Sequence, residues 1–279
     1  FRRMCDVNRP IYQAETRASD LPLKNRYQLS NQVDSRFVQR SPCQTQGPIQ
    51  IFTKYAELNS ILKKVLATSN HFLDEIISSP LNYTLTSLMK SEHPELIDRL
   101  RTSAFTNLST IFHETIPEDD NHEYVMMVGL MNGKRVKRFV RRDYINDGSS
   151  VLDKYNLLVT KANGAGDFGE TLSASIIARP GVAYTQTFIG IGSFDSIEEA
   201  EAVSKYTKTK FARAMLGVLK ITQDCPGPKW KYVPLQDFTI NSDINWSKPI
   251  PDVDRQLYSK YGLSTSEIDF IETHVQEMD

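Results

Sequence analysis

The sequence is short of the features that usually announce a function. Its 279 residues contain three cysteines, Cys5, Cys43 and Cys225, an odd and widely spaced set with no Cys-x-x-Cys pair. No histidine pair stands at metal-ligand spacing with them, so neither a disulfide framework nor a structural zinc site is indicated. Reduced cytoplasmic thiols are the expectation. No run approaches the roughly 18 apolar residues that a membrane-crossing helix needs. Arg2-Arg3 is followed by no apolar signal-peptide stretch, so no membrane partner is expected. Phe1 stands where an initiator methionine would, and the chain is expected to be a piece of something longer. Charge of one sign is missing as well: 33 Lys and Arg face 34 Asp and Glu, a net charge of -1. Any affinity for nucleic acid must then come from uneven distribution of charge, not from an overall excess.

Motifs of catalysis are absent in the same way. There is no Gly-x4-Gly-Lys-Ser/Thr. The glycine-rich run 163–169 precedes strand-like segments instead of a helix, so it lacks the geometry that cradles a phosphate and reads as a loop. No Gly-x-Ser-x-Gly elbow seats a serine nucleophile. Amino-group methylation needs an Asn/Asp-Pro-Pro-aromatic segment, and no Pro-Pro occurs anywhere. His71, His93, His113, His122 and His274 fall in separate segments and read as surface or capping residues. A metal-dependent nuclease gathers acids and a lysine around a divalent ion; Asp153 with Thr160-Lys161, and Glu118-Asp119-Asp120, read instead as solvated loops. The chain alone is expected to be no enzyme and to hold no cofactor or metal.

What is present is a mixture of helix and strand periodicities. Residues 1–47 are polar and irregular, a linker or N-terminal arm. Ile51-Phe52 reads as strand, Tyr55–Leu66 as an amphipathic helix and Phe72–Ile77 as helix, ended by Ser78-Ser79-Pro80. Tyr124–Leu130 and Arg135–Val140 flank Met131-Asn132-Gly133-Lys134, and an Asn-Gly pair between two such runs signals a β-hairpin. Further strands are expected at Tyr155–Thr160, Ser175–Ala178, Tyr184–Ile191 and Trp230–Val233. Ser196 with Glu199 opens a long helix to about Lys220, and Ser264 with Glu267 opens the second of two short C-terminal helices. The fold class is α+β: a mixed sheet with a basic β-hairpin, one long helix and a short C-terminal helical pair. The chain divides into the arm (1–47), a main domain (48–240) and a helical tail (241–279).

Charge is polarised along the chain. Lys134, Arg135, Lys137, Arg138, Arg141 and Arg142 lie in nine residues without an acid among them. Lys205, Lys208, Lys210, Arg213, Lys220, Lys229 and Lys231 follow against Asp224 alone, while the tail is acid-rich. A strand with one cationic face suits phosphate contact through counterion release. It equally suits an edge strand protected by charge, and the residues alone leave both open.

Several segments together resemble one family. They are Ile61-Leu62-Lys63-Lys64-Val65 with Ser78-Ser79-Pro80, the Val128–Val136 hairpin with Tyr144-Ile145, and Thr185-Gln186-Thr187-Phe188-Ile189-Gly190-Ile191-Gly192-Ser193-Phe194-Asp195. Thr209-Lys210-Phe211-Ala212-Arg213 and Lys220-Ile221-Thr222-Gln223 follow, then the closing Tyr232-Val233-Pro234-Leu235-Gln236-Asp237-Phe238, Leu257–Leu263 and Glu267–Glu272. In this order they are similar to the C-terminal target-recognition region of bacterial restriction-modification N6-adenine DNA methyltransferases, including type IIG enzymes. The resemblance covers about residues 48–279 and departs from the family at Leu81–Thr86 and across Glu92–Arg101. It implies a domain that docks on double-stranded DNA beside a methyltransferase domain, in some relatives with a nuclease, and that partner domain holds S-adenosylmethionine. It further implies that Lys134, Arg135, Lys137, Arg138, Arg141 and Arg142 position the duplex, that Lys208, Lys210 and Arg213 extend that surface, and that Gln186 and the 163–169 loop bear on specificity. The alternatives are a metal-dependent restriction endonuclease and a protein-interaction module of the same system.

Overall fold

The computed structural model describes residues 53–97, 99–118 and 120–278. The arm over 1–47, the Ile51-Phe52 strand, Cys5, Cys43 and Asp119 lie outside them. In chain order the elements are α1 (Ala56–Thr68), β1 (Ile77–Ser78), β2 (Tyr83–Leu85), α2 (Ser87–Glu92), α3 (Ala104–Asn107), β3 (Tyr124–Met131), β4 (Lys134–Arg141), β5 (Ile145–Asp147), β6 (Tyr155–Thr160), β7 (Ile176–Ala178), β8 (Val182–Tyr184), β9 (Phe188–Phe194), α4 (Ile197–Lys208), α5 (Lys210–Leu216), α6 (Ile250–Lys260) and α7 (Thr265–His274). With its helices and its antiparallel and mixed sheets the fold is α+β. No helix among the described residues is long and apolar enough to cross a membrane.

Apolar spacing accounts for the helices. In α1 the buried Leu58, Ile61, Leu62 and Val65 recur at intervals of three and four, which places them on one stripe. At α7 the full capping box forms: the Glu267 amide donates to Ser264 Oγ and the Ser264 amide to the Glu267 carboxylate. At α4 half of it forms, since the Glu199 amide donates to Ser196 Oγ while the Glu199 carboxylate takes the Ser196 hydroxyl proton instead.

The long helix expected to Lys220 is two helices. Thr209 is extended (φ -59°, ψ 148°), its hydroxyl donates to the Tyr206 carbonyl at 2.7 Å, and it accepts from the Ala212 amide. The buried Asp254 carboxylate takes the Lys210 and Phe211 amides at 3.0 and 2.9 Å. The restart is thus fixed from outside, by a side chain 44 residues beyond Lys210, and periodicity carries no trace of it. Three other expectations give way: a 3₁₀ turn at Leu73–Ile76 replaces helix, the strand expected over Tyr184–Ile191 is divided between β8 and β9 in different sheets, and a 3₁₀ turn at Gly227–Trp230 before an irregular 231–233 replaces strand. Proline at the start of the second turn, and burial of Trp230, favour the tighter form.

The four-stranded sheet runs β1-β9-β6-β7, all antiparallel. It lies between two cores, and the two-residue period of its strands shows how. Leu157, Val159, Ile189 and Ile191 join the helical core with α1, α4, α5, α6 and α7, whereas Leu158 and Phe188 join the second core with β3, β8 and α3. Each fully buried aliphatic side chain contributes roughly 1.5–3 kcal/mol relative to exposure. The second core is capped by the three-stranded sheet β4-β3-β8, in which β3 pairs antiparallel to β4 and parallel to β8, and by the pair β2-β5.

No structural division falls at 240. Val253, Leu257, Phe270 and Ile271 of α6 and α7 share the core of Leu58 and Ile61, and the described residues form a single compact unit.

Candidate nucleic-acid interface

The hairpin forms where the Asn-Gly pair stands. Asn132 and Gly133 both have positive φ, 51° and 74°, as a type I′ turn demands. That turn sets the register, with Met131 opposite Lys134, Leu130 opposite Arg135 and Val128 opposite Lys137. β4 is the sheet's edge. Its lower half is covered: His113 and Phe139 exchange both backbone hydrogen bonds at 2.8 Å, and Glu114 next to it reaches Arg138. The upper half, from Lys134 to Lys137, has no strand on its outer side among the described residues.

The six cations sort along that division. Arg138 bonds Glu114 at 2.9 Å with its side chain 17% exposed. Arg141 bonds Asp143 at 2.6 Å and Glu92 at 3.0 Å and lies 4.3 Å from the Tyr144 ring centroid. Its pKa is raised, first by the Asp143 hydrogen bond, and the same pairing lowers Asp143. Arg142 bonds Asp153 at 2.6 Å, and that bond likewise raises it. All three are neutralised by acids outside the basic run itself. Lys134, Arg135 and Lys137 are exposed, and no carboxylate among the described residues pairs with any of them. Arg135 instead rests over the Phe188 ring, 5.7 Å from its centroid.

Gln186 lies across β3 from the open part of β4. The Thr185 amide donates to the Val128 carbonyl at 2.9 Å, opposite Lys137, and Phe188 beyond it carries Arg135. The half-buried Gln186 follows Thr185, its amide held by the Leu100 carbonyl at 3.0 Å and its side chain making no hydrogen bond among the described residues. The platform ring of Phe188 and the Leu100 anchor were not visible in the sequence, since each is a long-range contact.

The second basic cluster is placed elsewhere. Lys208, Lys210 and Arg213 belong to α4 and α5, which pack on the opposite side of the four-stranded sheet, and they do not extend the hairpin surface. Arg213 is 3% exposed, and burial lowers its pKa. Its guanidinium donates to the carbonyls of Lys208, Gly169, Glu170 and Gln276. Lys210 is tied to Glu272 at 2.5 Å, and Lys208 is half-buried.

The glycine-rich loop is also committed internally. The Ala165 and Gly166 amides donate to the Glu170 carboxylate at 2.7 and 2.9 Å, and that carboxylate pairs with the buried ammonium of Lys220. Burial pushes Glu170 up, but Lys220 and the two amides outweigh it and hold it below the ordinary carboxylate value. Those amides are satisfied by protein, which a phosphate cradle would leave free.

Neither a protein-family model nor a curated protein matches the chain. Of the acids considered for a metal site, Asp153 is engaged by Arg142, and Asp120 accepts from Tyr124 at 2.6 Å and from His122. Among the described residues no group of three or more His, Cys, Asp or Glu side chains is placed to hold a metal.

Proposed function

We propose that this chain is the target-recognition part of a restriction-modification adenine methyltransferase, gripping double-stranded DNA through the tip of the β3–β4 hairpin. The observation that carries the reading is the open triplet of Lys134, Arg135 and Lys137 on the uncovered part of an edge strand, where every arginine further along is neutralised. Cations without internal partners release counterions when they meet phosphates, and this supplies affinity without sequence preference. Gln186, held across β3 from the open strand with its side-chain amide unspent, has the donor and acceptor pair that can read an adenine edge in the major groove. S-adenosylmethionine and methyl transfer belong to a partner domain, which also extrudes the target base, because its amino group is out of reach in the stack. The chain itself works in the cytoplasm, away from membranes.

The direct test is anisotropy of a labelled duplex at low salt with Lys134→Glu/Arg135→Glu/Lys137→Glu beside Arg138→Gln. The triple variant is expected to lose about tenfold or more in affinity, on the counterion-release scale, and Arg138→Gln far less. Equal binding by the triple variant and the parent chain would remove the hairpin from the interface. Plasmid cleavage by the chain with Mg²⁺ would favour the endonuclease alternative.

A further inference from the structure

Next to the Gln186 anchor lies a cleft of about 590 Å³ walled by Leu81, Tyr83, Leu85 and Leu100, with Thr84, Ser87, Lys90, Arg99 and Asn146 at its polar positions. It is built on the part of the chain where the family resemblance fails, Leu81–Thr86 and Glu92–Arg101. Three features bear on its use. Its volume falls within the roughly 300–1,000 Å³ typical of small-molecule sites. Among the described residues its lining contains the ammonium of Lys90 and no carboxylate. Three acids nearby in sequence are engaged elsewhere: Glu92 and Asp143 by Arg141, and Asp147 by the Asn82 side chain at 2.8 Å.

Four polar groups of the wall are also unspent. The side chains of Thr84, Ser87, Lys90 and Asn146 make no hydrogen bond or ion pair among the described residues. Two hydroxyls and an ammonium offer donors to a tetrahedral anion. Asn146 offers one donor and one acceptor face, and Leu81, Leu85 and Leu100 offer an apolar wall to whatever the anion is attached to. The Leu100 carbonyl that holds the Gln186 amide makes the cleft wall continuous with the segment across β3 from the open strand.

We propose that this cleft binds a nucleotide unit, with its phosphate against Lys90, Ser87 and Thr84 and its nucleoside against the leucines and Asn146. The same chemistry is presented by a free nucleotide and by a nucleotide of a DNA strand. The second source rests on the DNA-binding reading above, and the first does not.

The experiment titrates the full chain calorimetrically with dAMP, dTMP, thymidine and inorganic phosphate, and measures the salt dependence of duplex binding in parallel. Either nucleotide is expected to bind with a dissociation constant in the millimolar range or tighter. Lys90→Gln should weaken it about tenfold, and Ser87→Trp, which fills the cleft without changing charge, should abolish it. Lys134→Glu/Arg135→Glu/Lys137→Glu should leave it unchanged, which keeps the cleft distinct from the hairpin even if duplex binding fails altogether. If Lys90→Gln also makes the salt slope shallower by about one, the nucleotide belongs to DNA; if the slope stays while nucleotide binding drops, the ligand is a free nucleotide. Inorganic phosphate binding as tightly as the nucleotides, or no binding by any of them together with an unchanged slope, overturns the proposal.

Discussion

Four charged side chains held inside the fold show how far residue type is from residue role. Arg213 has the composition of a DNA contact, yet four backbone carbonyls take its protons and only 3% of it is exposed. Arg213→Met should therefore cost on the order of 3 kcal/mol in urea unfolding, because those carbonyls lose charged donors, and should leave the salt slope of duplex binding alone. A changed slope with unchanged stability would restore it to the interface. Glu170 and Lys220 form a buried pair that also fastens two amides of the 163–169 loop. Glu170→Gln leaves a buried ammonium with a neutral partner, and about 3–5 kcal/mol of stability should go with it, read from the urea midpoint. Asp254 has a distinct pH signature. Burial raises its pKa to about 6, against the help of the Phe211 and Lys210 amides. The folded state then binds the proton more tightly than the unfolded chain does. The contribution is present below about pH 4 and is lost as pH rises through 6, an effect of roughly 2–3 kcal/mol. Urea midpoints at pH 4 and pH 7 should show that decline in the parent chain and a flatter profile in Asp254→Asn; parallel profiles would contradict the assignment.

At the scale of elements, local rules were legible and tertiary overrides were not. The Asn132-Gly133 turn, the α1 stripe and the Ser264–Glu267 box formed as expected, because each depends on residues close together in the chain. The break at Thr209 was hidden, because Asp254 on another helix causes it. The same limit applied to the basic strand. Six adjacent cations were visible, but which of them stay open depends on Glu92, Glu114 and Asp153, and no local pattern marks those as partners. The hairpin's support has its own point of weakness at Gly129 in β3. A Cβ there would stand 2.6 Å from the Phe105 ring and 2.9 Å from Thr185. Gly129→Ala should thus destabilise by about 1–3 kcal/mol and, by pushing Thr185 away, loosen the Gln186 segment. A melting temperature equal to that of the parent would show that the contact relaxes freely.

At the scale of the whole molecule, a neutral chain keeps two kinds of cation on two sides of one sheet. On the helical side Lys210, Lys220 and Arg213 are spent on internal partners; on the hairpin side Lys134, Arg135 and Lys137 are left open. This partition also explains why the net charge of -1 says nothing about the surface. It leads to one decisive measurement, the slope of log affinity for duplex DNA against log salt, taken for the parent chain and for Lys134→Glu/Arg135→Glu/Lys137→Glu. If the three cations meet phosphates, the variant's slope is shallower by roughly 2–3, about 0.9 for each phosphate no longer neutralised. An identical slope in the two proteins would show that the hairpin tip meets no phosphate and that its charge serves only to protect an edge strand.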